Sequence, residues 1–362
     1  MQNLFFTDCV NLVGSACPPF DGTRKYVSTG AVDTDRINEA DVEIVDYQGK
    51  PSRANLVVSS GDVLFAKMHG TKKTLLIDNQ LSQHIYSTGF CAVHARSGLL
   101  TNRCLYHILS SQMFLAQKDK NCSGATQKAI TNAGLGKIQI RVPNIEQQDI
   151  IADQLDSIVS ILEKRQQQLS ALDDLIKARF VEMFGDPAAN PKGWRIIPWE
   201  GVFDTKTGKL DSNAAVEGGK YPFFTCAKDW LWIDKYAYDC EALLLAGNNA
   251  AGVYDVKHYK GKFNAYQRTY ILQLKDVDWS YSLFKYQLED RLQYLQSQSK
   301  GTNTRYLTMG ILNSLAFIVP PKEMQKEFTA FVTQVDKSKS VIQKSLDETQ
   351  LLFDSLMQKY FG

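Results

Sequence analysis

The chain of 362 residues has none of the long apolar segments that membrane proteins need. It contains no run of about 18 or more apolar residues, so no membrane-spanning helix is expected. Residues 1–8 include no basic residue ahead of an apolar stretch, which does not fit a signal peptide. A cytoplasmic location is therefore predicted.

Cysteine is present in an odd number and without a binding pattern. The seven cysteines are Cys9, Cys17, Cys91, Cys104, Cys122, Cys226 and Cys240. No two of them form a Cys-x-x-Cys pair, and the spacing suggests neither a disulfide framework nor a zinc knuckle. Free thiols in a reducing compartment are the expected state.

The motifs that mark common catalytic sites are also missing. The five histidines form no His-Glu-x-x-His pair, and neither a P-loop nor a Gly-x-Gly-x-x-Gly turn occurs. Cys17-Pro18-Pro19-Phe20 resembles the Asp/Asn-Pro-Pro-Tyr/Phe motif of amino-methylating DNA methyltransferases, but cysteine supplies no side-chain oxygen to accept a hydrogen bond from the target amino group. The segment is interpreted as a turn. We expect no catalytic residue, no metal and no cofactor on this chain.

What the chain does have is an internal repeat. Residues 124–185 align with 301–362 without a gap, at a constant offset of 177, with twelve identical positions. Pro143 and Pro320 begin the second part of each copy, and each copy ends in Phe-Gly. A chain with two copies of one unit is suited to a ligand with two related halves.

The later part of each copy has the periodicity of a long helix. Apolar residues recur at alternating steps of three and four, the pattern of a heptad seam packed along another helix. The first seam is Leu155, Ile158, Leu162, Arg165, Leu169, Leu172, Ile176, Arg179 and Met183. The second is Val332, Val335, Lys339, Ile342, Leu346, Thr349, Phe353, Leu356 and Tyr360. We expect the two helices to pair with each other and to offer surfaces to partners.

The remaining blocks have short β-type runs, turn residues and two helix candidates, at 102–118 and 280–297. Each is predicted to be an α+β module with a mixed sheet. The predicted fold is therefore α+β, with two globular domains separated by two long antiparallel, coiled-coil-like helices. The predicted bounds are 1–142 for the first module, 143–185 for the central helix, 186–193 for a turn, 194–319 for the second module and 320–362 for the last helix.

The net charge of +2 hides an uneven distribution. Segment 144–185 has four basic and eight acidic residues, and segment 321–362 has six of each. Outside these helices, 31 basic residues stand against 25 acidic ones. The surplus positive charge lies in the modules and favours nucleic-acid binding only weakly.

Three segments carry recognisable motifs. They are Gly-Ala-Thr-Gln-Lys-Ala-Ile-Thr at 124–131, Pro-Asn-Ile-Glu-Gln-Gln-Asp-Ile-Ile at 143–151 with the helix behind it, and the stretch from Met183 to Trp194. Together they resemble the specificity subunit of type I restriction-modification systems. The resemblance extends over essentially the whole chain. The second copy departs from it, since Asn303-Thr304 replaces the Thr126-Gln127 pair and Met324 replaces Gln147.

The resemblance implies a non-catalytic subunit with two target recognition domains, each reading one half of a split sequence in double-stranded DNA. It implies helices that space the domains and dock two methyltransferase subunits, which carry S-adenosylmethionine and methylate adenine. Restriction and translocase subunits would join for cleavage. A non-catalytic helical adaptor without DNA readout is the alternative.

Base reading calls for amide and guanidinium side chains on loops, with lysines near the phosphates. The candidate DNA-binding residues are Lys67, His69, Lys72, Lys73, Gln83, His84, Thr126, Gln127, Lys128, Asn248, Asn249, Gln267, Arg268, Asn303, Thr304 and Arg305. The candidate partner-docking residues are Glu146, Gln148, Arg165, Arg179, Glu323 and Gln325. Gly124 and Gly301 are expected to serve turn geometry. A helix of about 38 residues spans roughly 57 Å, so the helix length is predicted to set the gap between the half-targets.

Overall fold

A computed structural model describes residues 1–250 and 252–362. They form two compact units. Unit 1 comprises residues 1–166 and 344–362, and unit 2 comprises residues 167–343. Each unit thus contains one module and half of each long helix, a division that cuts through both helices. The predicted domain bounds, which keep modules and helices apart, remain a prediction.

Among the described residues, unit 1 contains fourteen strands, four short α-helices and parts of both long helices. Its strands are β1 (Gln2–Phe5), β2 (Val10–Val13), β3 (Arg24–Val27), β4 (Val32–Asp33), β5 (Arg36–Ile37), β6 (Glu43–Val45), β7 (Ala54–Leu56), β8 (Val63–Ala66), β9 (Thr74–Leu76), β10 (Ile85–Ser87), β11 (Phe90–Ala95), β12 (Cys122–Ser123), β13 (Ala129–Ile130) and β14 (Gln139–Val142). Its helices are α1 (Phe6–Cys9), α2 (Asn102–Ser110), α3 (Gln112–Lys120), α4 (Asn132–Leu135) and the start of α5 (Ile145–Phe184). The main sheets have the orders β6-β3-β10-β7 and β2-β11-β8-β9.

Unit 2 is built around one six-stranded sheet. Its strands are β15 (Arg195–Pro198), β16 (Phe203–Thr207), β17 (Tyr221–Phe224), β18 (Leu231–Ile233), β19 (Tyr238–Ala246), β20 (Asn248–Asn249), β21 (Val256–Ala265), β22 (Thr269–Leu274), β23 (Arg305–Tyr306) and β24 (Ala316–Val319). Its helices are α6 (Trp199–Val202), α7 (Tyr281–Asp290), α8 (Leu292–Gln298), α9 (Met309–Leu312) and the start of α10 (Lys322–Phe361). The sheet order is β16-β22-β19-β21-β17-β18.

Both modules contain mixed sheets, as predicted. β3 and β10 run parallel in unit 1, as do β17 and β21 in unit 2, whereas the other pairs in these sheets are antiparallel. In each module the first strand pairs with the strand that leads into the long helix, β1 with β14 and β15 with β24. The modules are therefore related in structure where their sequences have diverged.

Each of the two predicted module helices is in fact a pair of short helices. In unit 1 the break lies at Ser111, whose backbone is extended and whose hydroxyl caps α3 by accepting from the amide of Phe114 at 3.2 Å. In unit 2 the break lies at Arg291, between α7 and α8. A serine that bonds its neighbouring backbone competes with helix continuation, which explains the first break.

The two long helices pack against each other within each unit. In unit 1 the hydroxyl of Tyr360 donates to Oε1 of Gln154 at 3.1 Å, so the end of α10 meets the beginning of α5. In unit 2 Lys339 donates to Asp173 at 2.6 Å, in the other halves of the same helices. The pairing is antiparallel, and every predicted seam position is buried or half-buried. No helix among the described residues is both long and apolar enough to cross a membrane.

The helices are part of each module's core. In unit 1 Ile151 and Leu155 of α5 pack with Met357 and Phe361 of α10 in the cluster that contains Phe114. In unit 2 the rings of Phe180 and Phe184 from α5 lie 5.6 and 5.5 Å from that of Phe328 on α10. Burial of aromatic side chains on this scale fixes each helix to its module.

Candidate nucleic-acid interface

In unit 1, two loops that carry candidate residues lie side by side. The first follows the buried strand β8 and spans 67–73, and the second is the turn at 124–128. The amide of His69 donates to the carbonyl of Lys128 at 2.9 Å, and the amide of Ile130 donates to the carbonyl of Lys67 at 2.9 Å. Residues far apart in sequence thus form one polar surface at the end of a central strand.

The turn at 124–128 depends on glycine. Gly124 has a φ of +133°, and a Cβ at this position would lie 2.5 Å from the carbonyl oxygen of Gln127. Only glycine avoids both the strained backbone and the clash. Thr126, Gln127 and Lys128 are all exposed on this turn.

Unit 2 repeats the arrangement with a regular pair of strands. β20 pairs with β23, so Asn248 lies opposite Tyr306 and Asn249 opposite Arg305. Gly301 has a φ of +101°, and a Cβ there would lie 2.2 Å from the carbonyl oxygen of Thr304. The prediction that Gly124 and Gly301 serve turn geometry is confirmed. Asn303, Thr304 and Arg305 are exposed beside this glycine.

A third loop of unit 2 joins the same surface. The amide of Gly247 donates to the carbonyl of Arg268 at 2.8 Å, and the amide of Leu307 donates to the carbonyl of Gly247 at 2.8 Å. The turn that carries the exposed Gln267 and Arg268 therefore sits next to the β20–β23 pair. All the candidates named in unit 2 belong to one surface.

Several cationic side chains of these loops are free to meet phosphate. Within the described ranges, Lys72, Lys128 and Arg268 have no acidic side chain at salt-bridge distance. His69 is exposed beside Lys128. An unpaired surface cation loses little on approaching DNA and gains from counterion release.

Three of the predicted residues in unit 1 do not belong to this surface. Lys73 is half-buried, and its ammonium donates to the carbonyl of Thr29 at 2.7 Å. His84 is buried, and burial together with the nearby Lys25 lowers its pKa, so it offers no positive charge near neutral pH. Gln83 is exposed but precedes β10 of the other sheet, away from both loops. A DNA-binding role for these three residues stays a prediction, with the side chains of Lys73 and His84 engaged inside the unit and Gln83 on the other sheet.

The exposed aromatic residues of unit 2 are placed on an edge strand. Trp230 and Trp232 flank Leu231 of β18 and are 45% and 44% exposed. The ring of Trp230 packs 5.2 Å from Phe224 and 5.7 Å from Tyr259. Trp230 is therefore partly engaged by the sheet and not freely exposed.

The family model for the type I restriction modification DNA specificity domain matches the chain twice, over residues 15–171 and 191–349. The chain belongs to this family. Each match contains one of the two glycine turns, at Gly124 and at Gly301.

Curated specificity subunits resemble part of the chain. The Type I restriction enzyme EcoDI specificity subunit of Escherichia coli is 32% identical over 160 residues, which are 42% of this chain and 34% of that protein. The HindI specificity subunit of Haemophilus influenzae is 23% identical over 165 residues, 44% of this chain and 35% of that protein. The matched stretch spans about a third of the length of either relative.

Solved structures share the fold. The type I restriction-modification system S subunit from M. genitalium has a TM-score of 0.63 at 14% identity, covering 100% of this chain and 96% of that one. A chain from a study of complex assembly and conformational transition of the type I R-M system has a TM-score of 0.50 at 22% identity, covering 98% of both. The α+β fold with two modules and two long helices is thus that of known specificity subunits.

The predicted docking residues of this specificity-domain protein divide into two groups. Gln148 and Gln325 are buried, and their amides are bonded inside their own units, so they are not available to a partner. Glu146 and Glu323 are exposed in the first turns of α5 and α10. Only the second pair is placed where a partner could meet it.

The two seam arginines also differ from each other. Arg179 is already paired: its guanidinium donates to Glu182 at 2.8 Å and to Glu327 at 2.6 Å, and these contacts raise its pKa. Arg165 is half-buried, and among the described residues it has no acidic partner. Of the two arginines, Arg165 is the better candidate to bind an acidic surface on a partner protein.

Sequence reasoning missed a buried lysine beneath the loops of unit 1. Lys118, at the end of α3, is fully buried, and its ammonium donates to the carbonyls of Met68 at 2.9 Å and Thr71 at 2.8 Å. The available signal was its spacing of three from Leu115 on an apolar helix face, and unit 2 has Leu295 at the same offset of 177 residues. A lysine on an otherwise apolar helix face predicts buried hydrogen-bond acceptors close to its ammonium group.

Proposed function

We propose that this chain is the DNA sequence-recognition subunit of a type I restriction-modification complex, in which each unit reads one half of a bipartite target. One observation supports this proposal most strongly. Each of the two specificity-domain matches contains an exposed, glycine-dependent turn that lies beside a second polar loop. Related but different side chains on the two surfaces suit two different half-targets.

The side chains on these surfaces have the chemistry that base reading requires. Gln127 in unit 1, and Asn303, Arg268 and Arg305 in unit 2, can form bidentate hydrogen bonds to base edges in the major groove. Lys72 and Lys128 are suited to phosphates, which fix the register of a protein on the duplex. Lys67, His69, Thr126, Asn248, Asn249, Gln267 and Thr304 complete the proposed surfaces.

The partners belong to the same proposal. Two methyltransferase subunits carrying S-adenosylmethionine would dock on the helices, and restriction and translocase subunits would join for cleavage, with all catalysis on those partners. An apolar groove on unit 1, lined by Ile150, Ile158 and Leu356, supports docking there. The corresponding positions in unit 2 are Glu327, Val335 and Arg179, and an ion pair joins the first and last of them. The two docking surfaces are therefore related but unequal.

The domain plan follows from this function. The modules 1–142 and 194–319 are the proposed target recognition domains, and 143–185 and 320–362 the proposed spacers. The free state of all seven cysteines supports a place in the reducing cytoplasm.

The decisive experiment measures duplex binding as a function of salt. The full chain should enrich a bipartite motif from a library of duplexes with a randomised interior, and its affinity should fall steeply with rising salt because phosphate contacts release counterions. Co-expression with a methyltransferase subunit should place methylated adenines in both halves of that motif. Binding that selects no sequence would contradict the proposal.

The second candidate function is a helical adaptor that brings partners together without reading DNA. The extensive exposed apolar surface of the long helices, including Ile150, Val341 and Leu351, favours it. An adaptor would purify with its partners but show no salt-sensitive duplex binding. The same titration therefore separates the two functions.

A further inference from the structure

The ammonium of Lys118 is enclosed by backbone carbonyls at the end of β8 and in the loop that follows it. Besides Met68 and Thr71, the carbonyl of Ala66 lies 3.5 Å from its Nζ. The nearest carboxylate is that of Asp119, 3.3 Å away and partly exposed. The charge is therefore held chiefly by the loop it organises.

Burying an apolar side chain is favourable, whereas burying an ammonium is unfavourable unless its N–H groups all find acceptors. At the corresponding position, unit 2 has Leu295, which is fully buried in its hydrophobic core. A leucine therefore satisfies the packing requirement at this position of the fold. The lysine of unit 1 adds something that packing does not need, namely three donors aimed at one loop.

The neighbouring residue fixes the same loop from outside. Oδ1 of Asp119 accepts from the amide of Gly70 at 3.0 Å. The loop in turn carries the amide of His69, which donates to Lys128, and the carbonyl of Lys67, which accepts from Ile130. A shift of this loop would thus be passed to the turn that presents Thr126, Gln127 and Lys128.

We propose that Lys118 is a positioning residue for base reading by unit 1, acting through the loop at 67–73 and not by contact with DNA. The inference rests on the proposed function, and it adds an asymmetry. Both units hold the glycine turn by strand pairing, β12 with β13 in unit 1 and β20 with β23 in unit 2, but unit 1 alone adds a buried charge, where unit 2 has Leu295. Loss of that charge should lower base discrimination in one half of the target and leave discrimination in the other half unchanged.

The test uses the full chain and the library of duplexes with a randomised interior. Lys118→Met keeps the length of the side chain and removes its donors. Leu295→Met is the matched control, since it makes a comparable core change at the same position of the other repeat. Asp119→Ala loosens the loop from its exposed side, and it decides the question if Lys118→Met does not fold, as judged by circular dichroism.

Lys118→Met should lower base discrimination in one half of the motif by roughly tenfold or more, about the value of one bidentate base contact, with the other half unchanged. Asp119→Ala should affect the same half to a smaller extent, and Leu295→Met neither. Unchanged discrimination in both variants would overturn the inference, as would equal loss in both halves, which indicates a general effect on stability. A wild-type chain that enriches no motif would overturn the proposed function and this inference with it.

Discussion

Gln148 and Gln325, which lie 177 residues apart, bury their side-chain amides in equivalent ways. Oε1 of Gln148 accepts from the amide of Thr101 at 2.8 Å, and Oε1 of Gln325 accepts from the amide of Ser280 at 3.0 Å. Thr101 and Ser280 are the N-caps of α2 and α7. Each glutamine also donates to the carbonyl of the proline before its own helix, at 2.9 and 2.8 Å. Each amide therefore ties a long helix to its module.

Replacing Gln148 by Met should destabilise the protein markedly. The change removes a buried amide and leaves the amide of Thr101 and the carbonyls of Leu99 and Pro143 without this partner. The expected loss is roughly 2 to 4 kcal/mol of unfolding free energy, measured by urea denaturation followed by circular dichroism. Gln147→Met, one residue away and exposed, is the control and should have little effect. Equal midpoints for the two variants would contradict this role.

Replacing Gly124 by Ala should weaken DNA binding more than it weakens the fold. The positive φ and the approach to the carbonyl of Gln127 force the turn to move, and Thr126 and Lys128 move with it. We expect a loss of affinity of roughly tenfold, corresponding to about 1–2 kcal/mol of left-handed strain. Gly136, with a φ of −64° and its nearest neighbouring atom at 3.7 Å, is the matched control for substitution by alanine. Fluorescence anisotropy with a labelled duplex measures both variants, and equal affinities would show that the turn is not a reading element.

The parts of the fold that sequence could predict are those set by periodicity. The heptad seams predicted both long helices, because a constant step of three and four residues specifies one buried face along the whole length. The glycine turns were also predictable, since Gly124 and Gly301 recur at the same position in both repeats. The mixed sheets followed from short β-type runs interrupted by turn residues.

What sequence could not predict depends on long-range contacts. Gln148 looks like any polar residue in a first helical turn until the α2 N-cap is placed beside it. Lys118 looks like a solvated lysine until the loop at 67–73 folds over it. The burial of His84 and the internal hydrogen bond of Lys73 could not be predicted for the same reason, because burial of a polar side chain depends on which strand or loop covers it. Periodicity within one segment carries no information of that kind.

Acid should weaken unit 1 through Asp156. Its carboxylate is bonded to His107 at 2.7 Å and to Arg103 at 2.5 Å, and these contacts lower its pKa. A lowered pKa means that this stabilisation is fully present above the unfolded-state value of about 3.9 and is lost as the pH falls toward the folded-state pKa. The carboxylate is partly exposed, so the effect should be modest.

Urea midpoints measured between about pH 5 and pH 3 test this prediction. Asp156→Asn should be less stable than wild type at pH 5, and the difference should shrink as the pH falls. Asp174→Asn, a substitution of a well-exposed carboxylate on the same helix, is the control. A difference that stays constant with pH would exclude the ionised carboxylate as the source.

Single charge removals on the loops should change the salt dependence of DNA binding. Lys128→Ala and Arg268→Ala each remove a cation that has no acidic partner among the described residues, so each should lower the slope of log affinity against log salt by about one. Lys164→Ala, an exposed substitution on α5, should leave the slope unchanged. If all three variants keep the wild-type slope, these loops do not meet phosphate.

Lengthening both long helices by one heptad should lengthen the unread gap of the target. Seven residues add about 10.5 Å at 1.5 Å per residue, which is close to three base pairs, and a whole heptad keeps the seam on the same face to within about 20°. The insertions belong near the middle of α5 and α10, between residues 166 and 167 and between 343 and 344, where the chain passes from one unit to the other.

Selection from the randomised duplex library measures the length of the gap directly. The two half-motifs should stay the same while their separation grows by about three base pairs, and an insertion of four residues in each helix, which breaks the seam, should abolish selection. An unchanged gap after the heptad insertion would mean that something other than helix length sets the spacing.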